Sequence, residues 1–473
     1  MVHSTAHSTA YEINAPDPRR VDRALRGSRH KAFWLDDVEP ASSYPALTTA
    51  ATADLVVIGG GYLGLWTALL AKRENPALDV LLLEGETLGW AASGRNGGFC
   101  EASVTHGEEN GRSRWPTEYD SLHRLGTENL DEFERDVHEL RLDCQWERTG
   151  TLTAAVEQHQ LPWLDEIGAA MTAEGVRREI DSPLFLGGVW ERDHCALVHP
   201  AKLVKELARV AVGLGVRIHE HSRVVGLDTP RTGRATVSTA RSVVSCDRIA
   251  LATNIFPGLL KRKSAFTVPV YDYVLMTEPL SDDQMSAIGW KHRQGLTDMA
   301  NQFHYSRLSA DNRILYGGYD AIYHLGGRIS PKYEDRTDSY RRLASHFLAT
   351  FPQLADIEFT HRWAGVIDTS TQFSAFYGTA RHGRVVYSAG FTGLGVGATR
   401  FAAKVLVDLM SGTDTELTQL DIVRKKPLPF PPEPAAGIGI NMTRWALDRA
   451  DHRRGERNTF LRTMDALGLG FDS

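Results

Sequence analysis

The chain is poor in the features that would place it in a membrane, on a nucleic acid or in a disulfide scaffold. No apolar run approaches the roughly 18–20 residues that a membrane-spanning helix requires, so no such helix is expected. Only four cysteines occur among 473 residues (Cys100, Cys144, Cys195 and Cys246), and none form a C-x-x-C pair. That spacing supports neither a disulfide framework nor a zinc site; it leads us to expect no metal and a reducing, cytoplasmic setting. The formal net charge is only -6, which gives no reason to expect nucleic acid or an anionic membrane as partner. Arg19, Arg20, Arg23, Arg26 and Arg29 lack the apolar core of a secretory signal, and Glu12, Asp17 and Asp22 interrupt a transit-peptide pattern.

What is present is an α/β alternation in a chain too long for one simple core. Residues 1–50 are polar, carry Pro16, Pro18, Pro40 and Pro45, show no period, and read as a solvated leader covering another surface. From Asp54 the character changes. Leu55-Val56-Val57-Ile58 reads as a strand buried on both faces, Leu65 to Lys72 as a helix, and Asp79 to Glu84 as a second buried strand. Further helices are expected at 118–140, from Pro200 to Leu214, at 341–350 and at 399–411. Strands are expected at 146–155, 216–219, 243–252 and 385–388, with a run of them between 266 and 327. The tail holds five prolines between Pro427 and Pro434, then a short polar helix expected to wrap the nucleotide-binding part.

Between the first strand and helix, Gly59-Gly60-Gly61-Tyr62-Leu63-Gly64 matches G-x-G-x-x-G. Gly59 allows the tight turn, Gly61 lets backbone approach a pyrophosphate, and Gly64 permits close helix–strand packing. Glu84, followed by Gly85, stands 25 positions after Gly59 at a strand end, where an acid can accept from ribose hydroxyls. The alternative is a glycine turn with an unrelated surface glutamate. The loop alone cannot choose between NAD and FAD. A second glycine patch follows: Gly89, then Ser93-Gly94-Arg95-Asn96-Gly97-Gly98, a sequence suited to backbone passing close to a flat ligand.

With that patch the chain resembles the D-amino acid oxidase-like family of flavoenzymes, and within it the γ-glutamylputrescine oxidase and glycine/sarcosine oxidase branch. The likeness spans about residues 30 to 420. Arg223-Val224-Val225-Gly226 resembles the strand that holds the adenine, and Ala250 to Asn254, with Ala252 and Thr253, a segment ending near the cofactor. Trp363-Ala364-Gly365 with Asp368 resembles the family's W-x-G strand. Gly390 to Gly397, including Gly393, Leu394, Gly395 and Val396, resembles the loop closing on the flavin pyrimidine edge. The resemblance implies a Rossmann-like FAD-binding domain (51–105, 196–265 and 360–420) interleaved with a strand-rich α+β substrate domain (106–195 and 266–359). The leader (1–50) and tail (421–473) flank them. An NAD-dependent dehydrogenase would need neither the patch nor the late loop.

The implied chemistry is oxidation of a C–N bond in a small amine, with FAD bound without a covalent link. The substrate would be a γ-glutamylputrescine-like amine, an N-alkyl amine or an amino acid, and the product an imine that hydrolyses to a carbonyl compound. Oxygen is the expected acceptor, giving H2O2. Rival readings are a dehydrogenase serving a quinone or electron-transfer protein, and a flavin-binding scaffold without turnover. Where sarcosine-type relatives place a carboxylate-binding lysine, this chain has Gly397. Glu101 instead offers a carboxylate for a cationic amine, or is merely salt-bridged. By strand alternation Phe303, Tyr305 and Arg307 share one face. Tyr305 is read as an aromatic wall and Arg307 as an anion anchor, against the alternatives of a core tyrosine and a structural arginine. His304 is a candidate base or a satisfied buried histidine. Tyr271 and Tyr273 are further candidates for the cavity.

Overall fold

A computed structural model describes residues 7–38, 43–256, 258–261 and 263–466, and gathers the strands into two large sheets. Strand Ala51–Ile58 lies at the centre of the first, pairing in parallel with Val80–Leu83 on one side and Val243–Leu251 on the other. Val385–Ala389 extends the parallel core beyond Val243–Leu251. Because both faces of these strands are covered, their apolar runs are continuous instead of alternating. Helices Tyr62–Glu74, Pro200–Gly213 and Gly395–Ser411 cover one face, and Leu47, Phe376 and Tyr387 help close the other.

The second sheet is ten-stranded and largely antiparallel. Its spine is strand Thr267–Thr277, flanked by Phe359–Ser370 and Ile314–Gly318, with His304–Leu308 next in order. Helix Thr337–Thr350 packs on one face of this sheet, burying Tyr340, Leu343 and Phe347 against Tyr271, Tyr273 and Tyr316.

Three expectations about extent are corrected here. Residues 360–370 were assigned to the FAD-binding part, but Phe359–Ser370 is laddered along its length to Thr267–Thr277, from Thr267↔Ser370 to Thr277↔Phe359. The leader is not a loose cover. Arg29–His30 joins the second sheet in parallel with His361–Arg362, Trp34 is fully buried, and Tyr11 OH donates to Asp298 Oδ2 at 2.5 Å. The tail begins against the first sheet, where Ile422 and Val423 are buried, and then forms a 17-residue helix, Ala435–Asp451, fastened to the second sheet, and a shorter one, Thr459–Ala466. The final Phe471-Asp472-Ser473 lies outside the described residues. Among the described residues no helix is long and apolar enough to cross a membrane.

A buried ionic cluster ties the helices over the first sheet. Asp136, 2% exposed on helix Tyr119–Glu139, accepts from Arg400 Nε at 2.8 Å and is paired with Arg73. Arg400 also meets Glu132 at 2.7 Å. Removing one partner of such a cluster leaves a buried charge uncompensated, so Asp136→Ala is expected to cost about 3–5 kcal/mol in urea unfolding of the holo-protein. A change within about 0.5 kcal/mol, as for an ordinary surface substitution, would contradict this account.

Candidate cofactor and substrate site

The strand Ala51–Ile58 ends in the three glycines, and the helix begins at Tyr62. Gly59 has φ +113, and a Cβ there would lie 2.3 Å from the Ala252 carbonyl oxygen. A Cβ on Gly64 would lie 1.9 Å from the carbonyl oxygen of Gly59. Both positions therefore exclude a side chain. The Tyr62 N–H at the helix start donates to Ser93 Oγ at 3.0 Å. The Glu84 carboxylate accepts from the Gly60 N–H at 2.7 Å, the Glu86 N–H at 2.8 Å and the Trp90 indole at 3.1 Å. A buried acid thus fixes the glycine loop while standing where a ribose would be read.

The second glycine patch crosses between the sheets with little strand pairing of its own. Its carbonyls are held by side chains instead: Trp90 by Arg95 Nε at 2.9 Å, Arg95 by the Trp363 indole at 2.8 Å, and Asn96 by the Trp34 indole at 2.9 Å. The Asn96 side chain braces the turn from within, donating to Ala92 O and Ser93 O and accepting from the Gly98 N–H at 2.8 Å. A Cβ on Gly94 would meet Gly89 O at 2.3 Å, and one on Gly97 would meet the Tyr305 ring at 2.8 Å. The guanidinium of Arg95 pairs with Glu334 at 2.7 Å, joining the patch to the second sheet.

One cavity of about 2260 Å³ runs from Gly59, Gly61 and Leu63 along Ser93–Gly98 to Asp272 and Tyr305. Gly85, Val224, Ala252, Thr253 and Asn254 line its first part, and Gly393, Leu394, Gly395 and Val396 its closing edge. Lys263 donates to the Asn254 carbonyl at 2.7 Å, and burial pulls its pKa down to about 8. Asp368, pushed up to about 6 by burial, accepts from the N–H groups of Gly390 (2.5 Å) and Phe391 (3.2 Å) and so shapes the closing loop. A Cβ on Gly397 would lie 2.7 Å from the Glu101 carbonyl oxygen, which leaves no room there for a lysine.

At the far end the Tyr305 hydroxyl donates to Asp272 Oδ2 at 2.5 Å. Burial pushes the Asp272 carboxyl up to about 6, and the Tyr305 phenol well above its usual value. Glu101, half-buried on the cavity wall, is raised to about 7 by desolvation and by the nearby Glu191. His106 lines the same space, its pKa lowered to about 4 by burial.

Several expected site residues do not line the cavity, Gly64, Gly94, Gly390 and Gly397 among them. Arg307 does not reach the cavity: it is 1% exposed, donates to Val198 O at 2.6 Å and Gly98 O at 3.3 Å, and is a backbone staple. His304 is enclosed between Asp298 (2.6 Å) and His346 (2.9 Å), so it is a satisfied core histidine. Trp363 holds the Arg95 carbonyl and does not line the cavity. Tyr271 and Tyr273 point into the second sheet's core, with Val268, Val270 and Asp272 on the cavity face. Asp272 was missed, although an acid alternating with tyrosines in a buried strand marks the opposite face. Trp34 was missed too, and no local pattern identifies it.

The glycine cradle, the ribose-facing acid and the long cavity fit a dinucleotide with a flat headgroup. The chain belongs to the DAO family, FAD dependent oxidoreductase, matched over residues 54–409. It is 30% identical to the gamma-glutamylputrescine oxidoreductase of Escherichia coli (strain K12), covering 80% of this chain and 89% of that one. The fold also matches L-proline dehydrogenase from P. horikoshii (TM-score 0.63, 17% identity, 78% of this chain and 96% of that one). A glycine oxidase from Geobacillus kaustophilus is equally similar in fold (TM-score 0.63, 16% identity, 79% and 99%). The protein is an FAD-dependent oxidoreductase.

The placement of Arg307 generates a test. Arg307→Met takes the donor from the Val198 carbonyl, while Gly98 O keeps the Val198 N–H at 2.9 Å; the loss is expected to cost about 2 kcal/mol and to loosen flavin retention. In the fraction that keeps flavin, KM should stay within about threefold of wild type. A large rise in KM with normal flavin content would restore Arg307 as a substrate anchor.

Proposed function

We propose that the protein oxidises the C–N bond of a small amine to an imine, which water then hydrolyses to a carbonyl compound and an amine or ammonia. The observation that carries this reading is the acid-lined chamber of Asp272, Tyr305 and Glu101, continuous with the space along Ser93–Gly98. The similarity to a gamma-glutamylputrescine oxidoreductase supports the same substrate class. Gly59–Leu63, Glu84 and Ser93–Gly98 would hold FAD, without a covalent link, and FAD supplies the two-electron acceptor when bound. Molecular oxygen is the final acceptor in this reading, giving hydrogen peroxide.

The chain's own part is to receive an ammonium, take a proton from it and hold the neutral nitrogen in place. Ionised Asp272 and Glu101 provide the counter-charge. With pKa values of about 6 and about 7, both are better matched to accepting a proton near neutrality than an ordinary carboxylate. The Tyr305 hydroxyl fixes the orientation of Asp272. Once the nitrogen is neutral, its lone pair can close the C=N bond as the C–H hydrogen leaves with its electron pair.

Anaerobic addition of primary amines, N-methyl amines and amino acids should bleach the flavin's visible band for one class, and air should restore it with peroxide. A flavin-loaded protein that no amine bleaches would refute the reading; bleaching without recovery in air would reassign the acceptor. The pH dependence is a second test. Both carboxyls are raised, so they are neutral in acid and ionise as pH climbs through about 6 and about 7. KM for a cationic amine should therefore fall between about pH 5 and about pH 8, and Asp272→Asn should remove the lower step. An unchanged profile in that variant would exclude Asp272 from amine binding.

A further inference from the structure

Helix Ala435–Asp451 lies beyond residue 409, where the family match ends, yet it walls the cavity. It is fastened at both ends to the second sheet. Near its start the Tyr323 hydroxyl donates to Glu433, and Gly437 packs on Leu325 and Tyr323. At its end the Asp451 carboxylate accepts from the Asn301 N–H at 3.0 Å and the Asn301 side-chain amide at 2.7 Å. Between these anchors one helical stripe, Ala436, Ile440, Thr443, Arg444 and Leu447, faces the cavity. Tyr323 pairs with Val270, two residues before Asp272, and Asn301 lies four residues before Tyr305. Arg444 thus lines the same cavity as Asp272 and Tyr305, on a helix anchored at both ends to their sheet.

Arg444 differs from the other arginines of the cavity wall. Arg95 is paired with Glu334, Arg112 with Glu108, Arg223 with Glu86 and Arg457 with Asp465. Among the described residues Arg444 has no ion-pair partner, and its Nε is sheltered from solvent without a hydrogen-bond acceptor. Sheltered donors without acceptors are uncommon in native proteins, and one that lines a cavity is open to an acceptor on a ligand. The two other sources of an anion anchor are closed, because Arg307 is spent on backbone carbonyls and Gly397 has no room for a lysine.

We propose that Arg444 binds the carboxylate of the substrate, whose amine sits at Asp272, Tyr305 and Glu101, and that the preferred substrates are aminocarboxylates. The planar guanidinium fork suits a carboxylate better than a point charge would. This rests on the amine reading of the chamber, and makes the appended helix a specificity element of this chain.

Glutarate serves as the anion probe, titrated into oxidised holoenzyme while the flavin spectrum is followed. Wild type should show a saturable perturbation; Arg444→Gln should weaken it about 10- to 100-fold, and Arg444→Lys should recover part of the loss. Flavin content and unfolding midpoint establish that each variant is folded. Wild type without saturable binding, or a folded Arg444→Gln that binds as wild type does, would overturn the proposal. In anaerobic reduction, Arg444→Gln should raise the apparent Kd for ω-aminocarboxylates by a similar factor, with the limiting rate of flavin reduction within about threefold and the matching alkylamines unaffected. An equal effect on both series would also overturn it. If neither series bleaches the flavin, the amine reading fails, while the glutarate titration still decides the role of Arg444.

Discussion

The structure turns on a stretch of backbone that must lie bare on one side. Residues 89–98 face the cavity, so a neighbouring strand cannot take up all of their carbonyls, and a buried carbonyl without a donor is costly. The donors come from distant parts of the chain: Trp34 from the N-terminal region, Trp363 from strand Phe359–Ser370 of the second sheet, and Arg307 from strand His304–Leu308 of the same sheet. Each is a large side chain that reaches across a gap without adding a strand edge. The two sheets are therefore held at a fixed separation through this segment.

Much of the first sheet could be read from the sequence because its constraints are local and steric. Gly59 and Gly64 are required by contacts within a few residues or across one strand, and the parallel strands announce themselves as unbroken apolar runs. The same holds for the closing loop, whose glycines open a helix. The second sheet was harder. Alternation there gives a period of two but not its phase, since tyrosines suit either a core or a ligand wall. The aromatic residues at 271 and 273 belong to the core face, and the acid between them belongs to the cavity face. Arg307 illustrates a different limit. Its strand face was legible, but the carbonyls it binds lie over a hundred positions away in sequence.

The N-terminal region and the tail were least legible, because short polar helices bury few residues and carry no periodic pattern worth the name. Their roles rest on single long-range bonds, such as Tyr11 to Asp298 and Asp451 to Asn301. Those two partners lie three residues apart, at the end of strand Gly295–Asp298 and just beyond it, so the two terminal regions converge on the same corner of the second sheet. His7 N–H donates to the His452 carbonyl at 3.2 Å and completes the junction.

This convergence bears on how the molecule is built. The wall formed by residues 428–464 leaves the ribosome after the whole of 54–409, so both sheets and the glycine loop can assemble while the cavity still lacks that side. The side that carries Arg444 is thus the last part of the cavity wall to be synthesised.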